Sequence, residues 1–300
     1  MPNLASPQQI PDQTGRTAVI TGGGSGIGRA TAAALVAKGA RVILAVRDQE
    51  RGRAAAAAMR GQVEVRPVDL ASLASVRSFV RDVEGTVDLL INNAGTMADQ
   101  LRLTADGFES QFGTNHLGHF ALTNLLLDRI TGRVVTVTST AYRTARIDFD
   151  DLQWERRAYS PFGAYGQSKL ANLLFTAELQ RRLTAVGSPV LATAAHPGWA
   201  STGFRITSGN RLFDRVMAAS TPVLAHGPEG GSLPTLMAAV GDVPGGSFAG
   251  PSRLGGVRGP ATLIGRSSVV DDADVARRLW EVSERLTGTR FPWSAESVVP

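Results

Sequence analysis

Near its start the chain runs an apolar stretch, a glycine turn and a helix-forming stretch together without a break. Thr17-Ala-Val-Ile-Thr21 is short and apolar, as expected of a buried strand. Gly22-Gly-Gly-Ser-Gly-Ile-Gly28 follows, then Arg29-Ala-Thr-Ala-Ala-Ala-Leu-Val-Ala-Lys38, which Gly39 stops. Glycines let a backbone approach a pyrophosphate closely, and a helix N-terminus offers free N–H groups and the positive end of a dipole. A glycine cluster alone is weak evidence, but here both flanks fit a phosphate site.

The alternation continues down the chain. Strands are predicted at Arg41-Val-Ile-Leu-Ala-Val46, Val63-Glu-Val-Arg66, Val87-Asp-Leu-Leu-Ile91, Arg133-Val-Val-Thr-Val-Thr138 and Val190-Leu-Ala-Thr-Ala195, and around Ser247-Phe-Ala249. Between them helices are predicted after Asp48, from Ser72 to about Glu84, over Gly107 to Ile130, and from Tyr165 to Leu183. Two more run from Glu229 to Val240 and from Asp272 to about Thr287. This is the pattern of an α/β protein, a single-domain Rossmann fold with a doubly wound parallel sheet of about seven strands and helices on both faces. No linker interrupts residues 14–292; residues 1–13 read as a polar arm on the surface, and about 199–228 as a C-terminal substrate lid.

Composition removes several classes. A hydrophobic content of 43% is ample for a core, and no apolar run reaches bilayer length. No export signal is evident, and cysteine is absent, which excludes disulfides, thiolate nucleophiles and Cys-ligated metals and suits a reducing cytoplasm. The net charge of +5 is spread through mixed pairs such as Arg47-Asp48 and Glu155-Arg156, so no nucleic-acid partner is expected.

Tyr165-Gly-Gln-Ser-Lys169 carries the candidate chemistry. Residues four apart on a helix share a face, so the phenol and the ammonium are neighbours. A cation beside a phenol is expected to lower its pKa from about 10 toward working range, allowing proton exchange with an alcohol oxygen. Such pairs are common, but Lys38 and Lys169 are the only lysines in the chain, so lysine is not its default cation.

Strand ends of a parallel sheet are where ligands sit. An acid at the end of the second strand would bind ribose hydroxyls and repel a 2′-phosphate; position 46 is Val, Arg47 can pair with that phosphate, and Asp48 is expected to cap the next helix. The expected cofactor is therefore NADP(H), ahead of NAD(H). Asp69 and Asn93 fall where an adenosine would border them, and Asn92 is given a structural role. Asn115 is an amide on a buried helical face, which must find partners and can break a helical bond to do so. His116 and His119 invite a metal, but without a third ligand they read as core histidines. Ser139, at the end of the fifth strand, can orient a substrate oxygen. Pro197 and Gly198 are placed beside the nicotinamide, and Thr202 can bond its carboxamide. Trp154, Phe162, Trp199, Phe204, Phe213 and Met217 suggest an apolar substrate pocket, although each could equally be core.

Thr21-Gly-Gly-Gly-Ser-Gly-Ile-Gly28, Asn92-Asn-Ala-Gly95, Ser139, Tyr165-Gly-Gln-Ser-Lys169 and His196-Pro-Gly198 stand in the order and spacing of the short-chain dehydrogenase/reductases, which the chain resembles over residues 14–292. Ala45-Val-Arg-Asp48, Thr114-Asn-His-Leu-Gly-His-Phe120, Asp148-Phe-Asp-Asp-Leu152 and Leu279-Trp-Glu-Val-Ser283 look like its retinol-dehydrogenase-like branch, which is also similar to protochlorophyllide reductases. The resemblance implies Tyr165 as general acid/base and Lys169 as the cation that tunes it and holds the nicotinamide ribose. It further implies that Ser139 polarises the carbonyl and that Asn115 holds a water linking Lys169 to solvent. The cofactor residues it implies are Gly22, Ser25, Gly26, Ile27, Gly28, Arg47, Asp69, Leu70, Asn93, Tyr165, Lys169, Pro197 and Thr202, with no metal. Thr138 replaces a second serine of many relatives; the N-terminus lacks the anchor of some retinol dehydrogenases, and no cysteine is present for protochlorophyllide photochemistry.

The expected function is hydride transfer between NADP(H) and a small apolar carbonyl compound or its alcohol, in the cytoplasm, with a homo-oligomer as the default assembly. The rivals are a non-catalytic NADP(H)-binding sensor, and a metal-dependent alcohol dehydrogenase, which lacks ligands.

Overall fold

A computed structural model describes residues 3–199 and 227–293. Eight strands form one sheet in the order β3-β2-β1-β4-β5-β6-β7-β8. They are β1 Thr17–Thr21, β2 Arg41–Val46, β3 Val63–Pro67, β4 Val87–Asn92, β5 Ile130–Val137, β6 Leu191–Ala195, β7 Phe248–Arg253 and β8 Arg258–Leu263. The first seven run parallel and β8 is antiparallel to β7.

The sheet is apolar on both faces, and the two-residue period of each strand divides its side chains between two cores. Ala18, Ile20, Val42, Leu44, Leu89 and Ile91 point to one face, where Leu35 of helix α1 (Gly26–Val36) packs with Leu236 and Met237 of the helix Pro228–Val240. Val19, Ile43 and Leu90 point to the other, against Phe79 of Leu73–Asp82, Phe120 of Gly118–Leu126, Phe175 of Pro161–Ala185 and Trp280 of Ala273–Thr287. We number these helices in chain order with Gln49–Ala57 as α2, Leu73–Asp82 as α3, Gly118–Leu126 as α4, Pro161–Ala185 as α5, Pro228–Val240 as α6 and Ala273–Thr287 as α7.

Strand order reverses between β1 and β4: chain-order neighbours lie to one side of β1 and later strands to the other. A crevice opens at such a switch point, outside the carboxyl ends of the strands. The ends of β1, β4 and β5 (Thr21, Asn92, Val137) carry the candidate residues into it.

Several expectations need correction. The sheet has eight strands, not seven, because β8 holds Gly and Pro, which mask strand character in the sequence. The N-terminal arm does not merely lie on the surface: Leu4 and Ile10 are buried, and Leu4 pairs with Ala261 along the β8 edge, which it covers. The segment 107–130 is not one regular helix. A short turn Ser110–Phe112 leads into a π-turn Gly113–Leu117 and then α4, while Ile130 already belongs to β5. Helix α5 begins at Pro161, four residues before Tyr165, with Ser160 as N-cap accepting from Gly163 N–H at 3.2 Å. Of the proposed lid, residues 200–226 lie outside the described residues, and with them Thr202, Phe204, Phe213 and Met217. Among the described residues no helix is long and apolar enough to cross a membrane.

Candidate active site

The glycine turn closes tightly on the end of β4. Gly22 has φ +69°, a region that favours glycine, and a Cβ on Gly28 would stand 2.6 Å from the Gly22 carbonyl oxygen and 2.5 Å from Asn93 Nδ2. Asn93 Nδ2 donates to the Thr21 carbonyl at 2.8 Å, so this side chain braces the turn. Ser25 precedes the first residue of α1 and its hydroxyl makes no capping bond. Beside it, Gly24, Ser25, Gly26, Arg29, Arg51, Ala54 and Ala55 line a cavity of about 230 Å³. A helix N-terminus and two guanidinium groups facing one cavity make a site for a phosphate. Ile27 is half-buried in the first turn of α1.

At the end of β2, Val46 is buried and Arg47 exposed. Asp48 Oδ1 accepts from Arg51 N–H at 3.0 Å, the capping role expected of it. Asp69 is half-buried with Oδ1 accepting from Ala71 N–H at 3.0 Å, whereas the Leu70 side chain belongs to the core and leaves only backbone for a ligand. Asn92 is wholly buried and donates to Thr123 Oγ1 at 2.9 Å, a structural role. Pro197 and Gly198 leave the end of β6 half-buried.

The structure brings Asn115, Ser139, Tyr165 and Lys169 together. Lys169 Nζ lies 5.5 Å from the centroid of the Tyr165 ring, one helical turn away on the same face. Ser139, at the exit of β5, lies beside the phenol and acts to lower its pKa. Lys169 Nζ donates to the Val137 carbonyl at 3.3 Å. Gly95 marks where they meet: a Cβ there would be 3.3 Å from Lys169 Nζ and 3.6 Å from Asn115 Oδ1. Thr138 donates to the Lys169 carbonyl at 2.7 Å, pinning α5 to β5.

Asn115 sits in the π-turn and is fully buried. Its Oδ1 accepts from Thr96 N–H at 2.7 Å, and its Nδ2 donates to the Thr96 carbonyl at 3.0 Å and to Ser168 Oγ at 2.9 Å. A buried amide needs such partners, and a π-turn is the helical distortion that commonly marks functional sites. His116 and His119 are buried with partnered rings, Nε2 of His116 on Ser283 Oγ at 2.9 Å and both nitrogens of His119 in hydrogen bonds. Among the described residues no three His, Cys, Asp or Glu side chains gather as metal ligands.

The electrostatics correct one expectation. Burial pushes the Tyr165 phenol up to about 12, with Ser139 pulling the other way. Burial also lowers the Lys169 ammonium to about 8. Without a ligand, then, desolvation of the phenol outweighs the neighbouring cation, and the phenol holds its proton at neutral pH.

Spacing alone also missed three residues, Arg29, Arg51 and Gln167. Arg29 and Arg51 line the glycine-turn cavity; a helix-N-terminal arginine after the Asp48 cap was the available signal. Gln167, inside the Tyr165–Lys169 motif, ties α5 to the loop before it, its Oε1 accepting from Arg157 Nη2 at 3.0 Å and its Nε2 donating to the Leu152 carbonyl at 3.1 Å. Trp154 is not a pocket wall but buried core, at φ +60°, with the Arg157 guanidinium 3.7 Å from its ring centroid. Phe162 and Trp199 are half-buried.

The family model for short chain dehydrogenases matches residues 16–211. Retinol dehydrogenase 13 of Homo sapiens is 42% identical over 305 residues, covering 95% of this chain and 88% of its own. A crystal structure of an uncharacterised protein from Mycobacterium Paratuberculosis is 52% identical with a TM-score of 0.85, covering 97% of this chain and 100% of that one. A protein from Beutenbergia cavernae, described as an NAD(P)-dependent gluconate 5-dehydrogenase with bound NADP, is 27% identical with a TM-score of 0.60, covering 77% of this chain and 91% of that one.

Proposed function

This chain belongs to the short-chain dehydrogenase family, in its retinol-dehydrogenase-like branch, and is an oxidoreductase of alcohols and carbonyls; we propose that it prefers NADP(H), moves the proton through Tyr165 and acts on an apolar substrate. The observation that carries the proposal is the Tyr165 phenol with Lys169 Nζ 5.5 Å from its ring, gathered with Ser139 and Asn115 beyond the carboxyl ends of β4 and β5.

The residues present fit a dinucleotide. In the glycine turn a Cβ at Gly23 or Gly28 would clash with its neighbours, so the backbone is bare at those positions, and the cavity beside it is lined by two arginines. Arg29 and Arg51, with Arg47, would hold a 2′-phosphate, and no acid stands at Val46 to repel it. Bound there, the cofactor supplies or accepts the hydride.

Ser139 would orient the substrate oxygen and share its hydroxyl with the phenol. Tyr165, protonated at neutral pH, would donate its proton to the alkoxide oxygen as the carbonyl is reduced, and in the reverse direction would take it back. Lys169, fixed through the Val137 carbonyl, would hold positive charge near the phenolate left behind, and Asn115 would support a water path from Lys169 to solvent. The apolar substrate class is supported by the retinol dehydrogenase name of the relative, since retinol is an apolar alcohol.

The test is a panel of apolar aldehydes and ketones, followed by NADPH absorbance with NADH run alongside. We expect oxidation of NADPH at least about tenfold more efficiently than NADH, and Arg51→Ala to narrow that gap, since a charge-assisted contact contributes on that scale. Equal use of NADH would remove the cofactor preference. Tight NADPH binding with no oxidation across the panel would favour a sensor.

A further inference from the structure

His119 lies outside the proton-transfer set yet joins two parts of the site. Its Nδ1 is 2.9 Å from the Asn115 carbonyl oxygen and its Nε2 is 2.8 Å from Thr21 Oγ1. A carbonyl only accepts, so Nδ1 carries the hydrogen; in the neutral ring Nε2 then accepts, and the Thr21 hydroxyl must donate to it. The two lone pairs of that hydroxyl are taken by Asn93 N–H and Ala94 N–H, both at 2.9 Å. The other acceptor in reach of the hydroxyl, the Ile91 carbonyl, is farther at 3.4 Å. Donors and acceptors therefore balance in one arrangement. A second ring proton would point an N–H at an oxygen already accepting two.

His119 is 1% exposed, so nothing from solvent competes for either nitrogen. At one end of the relay are the backbone amides of the Asn92–Gly95 turn, which borders the glycine turn. At the other is the carbonyl of Asn115, whose amide reaches Ser168 on α5, between Tyr165 and Lys169.

We infer that His119 is a positioning residue, a single-tautomer imidazole clamp that registers the turn after β4, on the cofactor side, against the π-turn and helix that carry Asn115, Tyr165 and Lys169. The inference rests on the reading of the site given above, and goes beyond it in assigning a role to a side chain that touches neither substrate nor cofactor.

The tests separate the clamp from the function. In wild-type protein labelled with [15N]histidine and free of cofactor, the chain's four histidines give few ring signals, and those of His119 are assigned by their loss in His119→Gln. A neutral ring protonated at Nδ1 is the expected state and protonation at Nε2 overturns the clamp; should His119→Gln not fold, the ring signals are assigned by through-bond correlation to the His119 backbone in wild type. In the second test, Thr21→Val, His119→Phe and the double variant are compared at saturating NADPH with the best substrate of the panel. Each single change should lower kcat about tenfold, the scale of a lost buried hydrogen bond, and the double should be no worse than the singles. A hundredfold loss in the double, or a folded His119→Phe within about twofold of wild type, overturns the coupling. Hydrogen exchange at Asn93 and Ala94 needs no turnover: faster exchange in His119→Phe supports the clamp, and unchanged exchange refutes it. If wild type binds no NADPH, the functional reading fails while the tautomer and exchange measurements still decide the clamp.

Discussion

Lys169 and Tyr165 show where residue-level inference from spacing stops. Their separation of four places both groups on one face, and the 5.5 Å from Nζ to the ring agrees. What spacing does not carry is burial, which moves the phenol up and the ammonium down. The consequence is a pH dependence set by the amine. Its pKa is lowered to about 8, so the charged form dominates below that value and is lost as pH rises through it. For carbonyl reduction, kcat/KM in the free enzyme should fall above about pH 8 as Lys169 loses its charge, and Lys169→Met should be slow with that inflection gone. A profile flat through pH 9 in wild type, or an inflection retained in Lys169→Met, would assign the titration elsewhere. Asn115 was legible as a polar residue on an apolar helical face, because a buried amide must be satisfied; His119 was not, because its partners Thr21 and Asn115 are distant or hidden backbone.

At the scale of elements, periodicity located every strand of the parallel part but blurred the boundaries that matter here. The start of α5 lies in the Ser160-Pro161 pair, a cap followed by a residue suited to the first helical position. The π-turn left no periodic trace, since its five residues Gly113–Leu117 hold one large apolar side chain, Leu117. β8 was hidden by its Gly and Pro, and the arm was misjudged because two apolar residues among polar ones suffice to dock it, Leu4 pairing with Ala261 of β8 and Ile10 buried against α6. The cap of α5 can be separated from the chemistry it holds. Ser160→Ala should cost about 1 kcal/mol in urea unfolding and also lower kcat, because the first turns of α5 position Tyr165, whereas Ser160→Asp should restore both. Asp272→Ala, which removes the cap of α7, a helix that carries none of the candidate site residues, should show a similar stability loss with kcat unchanged. Equal effects on kcat from both alanine variants would mean that the cap of α5 has no special link to the site.

Across the whole molecule, one topological fact gathers the site: the order of the sheet reverses between β1 and β4, and the strand ends on both sides of that reversal deliver the glycine turn, the Asn92–Gly95 turn and Ser139 to one crevice. α5 crosses the same crevice with Tyr165 and Lys169, held by Val137 at the end of β5 and by Thr138 just beyond it. Substrate identity was the least legible part, because the chain writes it in side-chain shape, not in a spaced motif. The most direct test of the central claim is single-turnover hydride transfer at saturating NADPH in Tyr165→Phe, with NADPH affinity measured on the same protein. Removing only the phenolic hydroxyl is expected to slow hydride transfer at least about a hundredfold while NADPH affinity stays within about threefold of wild type. Hydride transfer at the wild-type rate in that variant would contradict the account, since the proton would then be moving through another group.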